Sequence, residues 1–147
     1  MGYTKHQGKY FKDKYHNNEK FRREVIRNVA RYNKNHPIKT WARHSIDNHK
    51  RKNIIVLITK KELEALANNT KTCKFCGKTL EYSNGKYVNQ KRTINLYSAS
   101  LDQIDKTKPL TLNNVQILCW QCNSAKNTMC MDEFRIWVKN IYESMYP

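Results

Sequence analysis

Apolar residues in this chain fall into short periodic stretches separated by polar segments. The first seventeen positions hold Lys, His, Tyr and Gly with no apolar period, and read as a flexible basic arm, residues 1–17. From about Asn18, Phe21, Val25, Val29 and Tyr32 recur every three or four residues, the spacing of one helix face. Arg23, Arg27 and Arg31 form a second stripe two residues away, about 200° around the helix, so one face can pack while the other stays charged. Pro37 stops this helix, because the residue before a proline is pushed out of the α region. A second helix is predicted from about Ile38 to Arg51, with Trp41, Ser45 and His49 on one side. The apolar run Ile54–Ile58 is long enough for one strand. Thr59-Lys60-Lys61-Glu62 then has the form of a capping box, which opens a helix with Leu63, Leu66 and Ala67 turned inward.

In the second half, Asn84-Gly85 between aromatic-bearing segments predicts a hairpin within 81–88. Thr93–Ile104 and Val115–Leu118 read as strands on either side of a polar loop that holds Pro109. A final helix runs from about Asp132 to Met145, with Phe134, Trp137, Val138, Ile141 and Met145 on its apolar face. The whole predicts an α+β protein. Residues 18–72 would be a basic helical region and residues 73–147 a second domain.

Charge sharpens this picture. Lys and Arg number 28 against 12 Asp and Glu, a net charge of +16 on 147 residues. Residues 1–72 hold 18 basic and 6 acidic side chains, so most of the excess lies in the amino-terminal half. A balance this basic points to a polyanion, with nucleic acid the first candidate. Arg22, Arg23, Arg27, Arg31, Arg43, Lys50, Arg51 and Lys52 are the candidate phosphate contacts; taken alone, such a stripe is more often a solvated face. No run approaches the roughly 18 apolar residues of a membrane span. The amino terminus has no apolar stretch of the secretory kind, so an intracellular site is expected, in cytoplasm or nucleoid, with phage, viral or mobile-element origin compatible.

Five cysteines sit at 73, 76, 119, 122 and 130. Cys73-Lys74-Phe75-Cys76 and Cys119-Trp120-Gln121-Cys122 are two C-x-x-C pairs, separated by 42 residues. A two-residue spacer lets both thiolates of a pair reach one ion, and two such knuckles complete a tetrahedral four-sulfur zinc site. Such a site has no open position, so the zinc is structural. Gly77 permits the left-handed turn a knuckle needs. Cys130 is expected to be a small buried hydrophobe without chemistry.

The residues between and after the knuckles carry further motifs: C-x-x-C-G, Ser100-Leu101-Asp102-Gln103-Ile104-Asp105, Asn114-Val115-Gln116-Ile117-Leu118-Cys119, and C-x-x-C-Asn123-x-x-Lys126. In this order and spacing, over about residues 73–128, the chain resembles the zinc-containing HNH nucleases of ββα-metal fold. The resemblance implies that Asp102 and Asn123 ligate a catalytic Mg²⁺ or Mn²⁺ ion, with Asn123 at the start of a short helix. It implies that Asn114 ties the loop between the strands and that Lys126 faces a phosphate. A hard cation held by one carboxylate plus substrate phosphate suits this sparse set.

The chain departs from the family at the usual general base, a His after the metal-binding Asp. Here that residue is Gln103, an amide that can orient water but cannot take its proton. Near-neutral pKa makes His49 the preferred substitute, with His44 and Tyr97 as alternatives. The function implied is a divalent-metal-dependent DNA endonuclease, of homing or restriction type, leaving 5′-phosphate and 3′-hydroxyl ends. Site specificity in so small a chain would call for a homodimer on a palindromic site or added readout by the arm. The rival is a catalytically inactive zinc-ribbon nucleic-acid-binding module; a protein-interaction adaptor leaves the charge unexplained.

Overall fold

The computed structural model describes residues 5–83, 87–88, 91–93 and 95–147. It is a mixture of helices and small antiparallel sheets, in two units, residues 1–36 and 37–147. The first unit is a helical pair, α1 (Lys5–Asn17) and α2 (Glu19–Asn35). Asn18 joins them as the N-cap of α2, its side-chain oxygen accepting from Phe21 N at 2.9 Å. From Lys5 onward the basic arm is thus a helix, not an irregular segment. Phe11 meets Phe21 edge-on with ring centroids 5.4 Å apart, an aromatic contact that supplies what apolar periodicity does not. The apolar stripe of α2 is not buried: Val29 and Tyr32 are half exposed, and no residue of the helix is core.

The second unit begins with α3 (Pro37–Arg51), Pro37 standing in its first turn where a missing N–H costs nothing. Trp41, Ala42, Ser45 and Ile46 are its buried face. Asn53, at φ 58°, turns the chain out of α3. The run 54–58 does not form a strand. It makes a single bridge, Val56 to Leu110, while Ile55 and Leu57 face outward at 65% and 62% exposure. Thr59 and Glu62 then close the predicted capping box of α4 (Lys60–Asn69), which seats Leu63 and Ala67 in the core.

After the first cysteine pair, β1 (Tyr87–Val88) and β2 (Lys91–Arg92) form a small hairpin, Tyr87 opposite Arg92. Asn84-Gly85 lies outside the described residues. The central hairpin is β3 (Ala99–Gln103) against β4 (Val115–Cys119), with Ala99 opposite Cys119 and Asp102 opposite Gln116. Of the strand predicted over 93–104, only the last part is paired. Every residue of β4 is buried. Two short helices follow, α5 (Trp120–Lys126) and, after a turn at Asn127, α6 (Met131–Met145).

Trp41, Ile46, Leu63, Ala67, Leu101, Ile117 and Leu118 share one core, so α3 and α4 pack with the hairpin. Trp41 also donates from Nε1 to Ala99 O at 2.8 Å and meets Tyr82 edge-on. These contacts move the unit boundary from the expected 72/73 to 36/37. They also divide the candidate DNA contacts: Arg22, Arg23, Arg27 and Arg31 belong to the first unit, Arg43, Lys50, Arg51 and Lys52 to the second. Cys130 is exposed, not buried, and caps α6: its sulfur accepts from Glu133 N while the Glu133 carboxylate accepts from Cys130 N. Among the described residues, no helix is long and apolar enough to cross a membrane.

Leu118 has no exposed surface, so Leu118→Ala is expected to cost about 2–5 kcal/mol in urea denaturation. Ile55→Ala, on the outward side of the 54–58 run, should cost under about 1 kcal/mol. Equal losses would mean that the core is drawn wrongly.

Candidate functional site

Four sulfurs converge where the hairpin meets α5. The ligand atoms of Cys73, Cys76, Cys119 and Cys122 all lie within 4.8 Å of one another, with Cys76 Sγ 3.8 Å from Cys119 Sγ. Local backbone geometry builds each knuckle. Gly77, at φ 69°, lets its N–H return to Cys73 O at 2.9 Å. Cys119 ends β4 and caps α5, its sulfur accepting from Cys122 N at 3.4 Å. Burial raises the Cys73 thiol, but N–H donors from Cys119, Cys76 and Phe75 outweigh it and bring the group down to about 7. An all-thiolate set of this size fits one soft or borderline ion, and zinc is the ordinary choice. Bound there, the ion would supply cross-linking and no catalysis.

The β3–β4 register sets Asp102 directly opposite Gln116, and α5 lies over the same pair. Asp102 is 1% exposed and Lys126 is 0% exposed. Lys126 Nζ donates to Asp102 Oδ1 at 3.1 Å, and Gln116 Nε2 donates to Oδ2 at 2.8 Å. Lys106, whose side chain is 41% exposed, brings its Nζ to 3.7 Å from the same Oδ1. Asn123 is in the second turn of α5, not at its start. Its Nδ2 donates to Ser100 Oγ at 2.7 Å and to Leu101 O at 3.4 Å, joining the helix to β3 one strand position from Asp102 on the same face.

Three expectations change here. Lys126 does not face a phosphate; its ammonium group is buried against Asp102. Asp102 does not make a fit site for Mg²⁺ or Mn²⁺: both its carboxylate oxygens already accept hydrogen bonds, and Asn123 could add only its single amide oxygen. A hard ion would have to displace a buried ammonium group and bring waters into a space with no exposure. Gln103 is buried at 3% exposure with Nε2 on Lys108 O, so it orients no water. Asn114, in contrast, sits as expected. Its Oδ1 accepts from Asp105 N at 2.9 Å, and its Nδ2 donates to Asp105 O and Pro109 O at 2.9 and 3.0 Å, closing the loop between the strands.

His49 is half-buried near the end of α3, with Nδ1 2.7 Å from Ser45 O. That bond fixes the Nδ1–H tautomer and leaves the Nε2 lone pair for another proton. Burial holds the imidazole below its ordinary value; Ser45 O opposes this, and the charges of Lys52 and Lys106 deepen it. The negative charge of Asp102 works the other way and raises the imidazole slightly. His44 is exposed and its Nε2 lies 3.3 Å from an Arg43 nitrogen. Tyr97 is 40% exposed just before β3, its N–H donating to Asn95 Oδ1 and its carbonyl accepting from Glu81 N.

Gln116, Lys106 and Ser100 complete the site and were not singled out from sequence. Gln116 had a signal: it is the one polar residue in the run Val115–Leu118, and a buried polar group needs a partner. Comparison of the chain with known proteins finds no matching family model, no matching curated protein and no matching solved structure. The nuclease resemblance therefore stands on the short motifs above.

Lys126→Met would leave the Asp102 carboxylate buried beside Lys106 alone, and should cost about 3–5 kcal/mol of stability. The double substitution Lys126→Met/Asp102→Leu should recover most of that loss in the same denaturation experiment. Additive losses would show that the two side chains are not coupled.

Proposed function

We propose that this protein is a zinc-stabilised DNA endonuclease, of homing or restriction type. The observation that carries the reading is the β3–β4–α5 unit. It is closed at its joint by four cysteines and sets Asp102, Asn123 and Lys126 on one face, within electrostatic reach of His49. The motif resemblance and the excess of Lys and Arg support the same reading.

In the proposed reaction each residue has a limited part. His49 Nε2 takes a proton from water as the water oxygen bonds to phosphorus. The P–O3′ bond breaks, its electron pair leaves on O3′, and that oxygen takes a proton from solvent. Lys106 and Lys52 set positive charge toward the phosphate, where charge grows in the transition state. Asp102, Gln116 and Asn123 position the strand and helix that carry these groups. Arg43, Lys50 and Arg51 on α3, with the arginines of α2, would hold the DNA backbone without reading sequence. The divalent-ion dependence implied by the resemblance requires Asp102 to leave Lys126. Specificity would come from a homodimer on a palindromic site or from added readout by the arm.

A second reading, an inactive zinc-bound DNA-binding module, is favoured by one observation: Gln103 occupies the usual base position and is sealed into the core. Cleavage of supercoiled plasmid, with and without Mg²⁺ or Mn²⁺, separates the two. The parent is expected to nick or linearise DNA, and His49→Ala to lower the rate by about 10²–10⁴-fold. Because the His49 pKa is lowered, its base form persists below pH 6.5; the rate should hold at neutral pH and fall only at more acidic pH. DNA binding without cleavage under every condition would select the binding module.

A further inference from the structure

A lysine with no exposed surface gives up its hydration, a cost that only a close anion and further hydrogen bonds repay. Lys126 has both. Its Nζ lies 3.1 Å from Asp102 Oδ1 and 3.4 Å from Gln103 O. Asp102 is satisfied in turn by Gln116 on its other oxygen, and no buried side-chain polar atom among the described residues lacks a partner. The arrangement is complete without an added ion. Lys106 stands at the solvent side of the same carboxylate, 3.7 Å from Oδ1.

We propose that Lys126 is the resident cation of this site: its ammonium group holds Asp102 in place of a divalent metal ion. The supporting argument is one of charge and space. A Mg²⁺-class ion needs about six oxygen ligands at roughly 2.0–2.1 Å, several of them water. Around Asp102 the near positions belong to N–H donors: Lys126, Gln116 and, further out, Lys106. Each presents positive hydrogen to the place where a cation would sit, and a second cation there meets like charge at short range. Asn123, held to β3 through Nδ2, could add at most its one amide oxygen to a set that needs about six.

The proposal deepens the nuclease reading, because phosphate chemistry at this site would then draw its positive charge from side chains. The test has two readouts on the full, zinc-loaded chain. In the first, Mn²⁺ is titrated into the protein without DNA, following free Mn²⁺ by electron paramagnetic resonance and the backbone amides of Asp102 and Gln116 by NMR. No saturable binding is expected, and no selective broadening at those two amides. Saturable Mn²⁺ binding that broadens them overturns the proposal. The second readout is plasmid cleavage after Mg²⁺ and Mn²⁺ are removed on a chelating resin, with zinc content measured before and after. Cleavage that persists with zinc retained supports a resident lysine cation. Cleavage that appears only on adding Mg²⁺ or Mn²⁺ overturns it while leaving the nuclease reading intact. If no condition gives cleavage, the nuclease reading fails, and the Mn²⁺ titration alone decides whether Lys126 keeps the site.

Discussion

The convergence of four cysteine sulfurs is the constraint on which the rest of this structure depends. Cys73 and Cys76 lie on a turn with little regular structure around it, whereas Cys119 is the last residue of β4 and the cap of α5. Joining them fixes the angle at which the helix leaves the hairpin. That angle decides whether Asn123 and Lys126 meet Ser100 and Asp102 or point into solvent. A seven-residue helix would not hold itself in water, so its position is a tertiary product. Packing of Trp41 and Ile46 with the same hairpin then seats α3 in the same core.

Inside that frame the buried pair sets the site's character. A Lys–Asp pair at 0% and 1% exposure is a poor source of net stability, since the desolvation of two charges offsets much of their attraction. It is a strong source of specificity in placement, because either charge alone is costly. Gln116 extends the effect by donating to the second carboxylate oxygen, and Gln103 O accepts from Lys126. Positive charge around Asp102 comes from side chains, Lys126 within the core and Lys106 on the wetter side.

Much of this was legible in the residue pattern, for identifiable reasons. The periodic stripe of α6, the capping box of Thr59 and Glu62, and the break at Pro37 are local signals, and all three elements stand where they predict. The paired C-x-x-C spacing encodes a tetrahedral site almost directly. What failed depends on partners far along the chain. The run 54–58 looks like a strand by composition but has only one bridging partner, at Leu110, so it stays extended and half-exposed. Residues 5–17 look irregular because their helix is supported by ring contacts rather than an apolar stripe. Lys126 reads as a surface lysine until the β3–β4 register sets Asp102 beneath it; no spacing rule signals a buried ammonium group.

Native mass spectrometry of the purified chain under non-reducing conditions tests the central claim, that these four thiolates share one metal ion. A single zinc per chain is expected, its mass added with a net loss of two protons, together with loss of the folded charge-state distribution when a chelator removes the ion. A folded, metal-free chain, or one whose mass shows two disulfides in place of the thiolates, would contradict it.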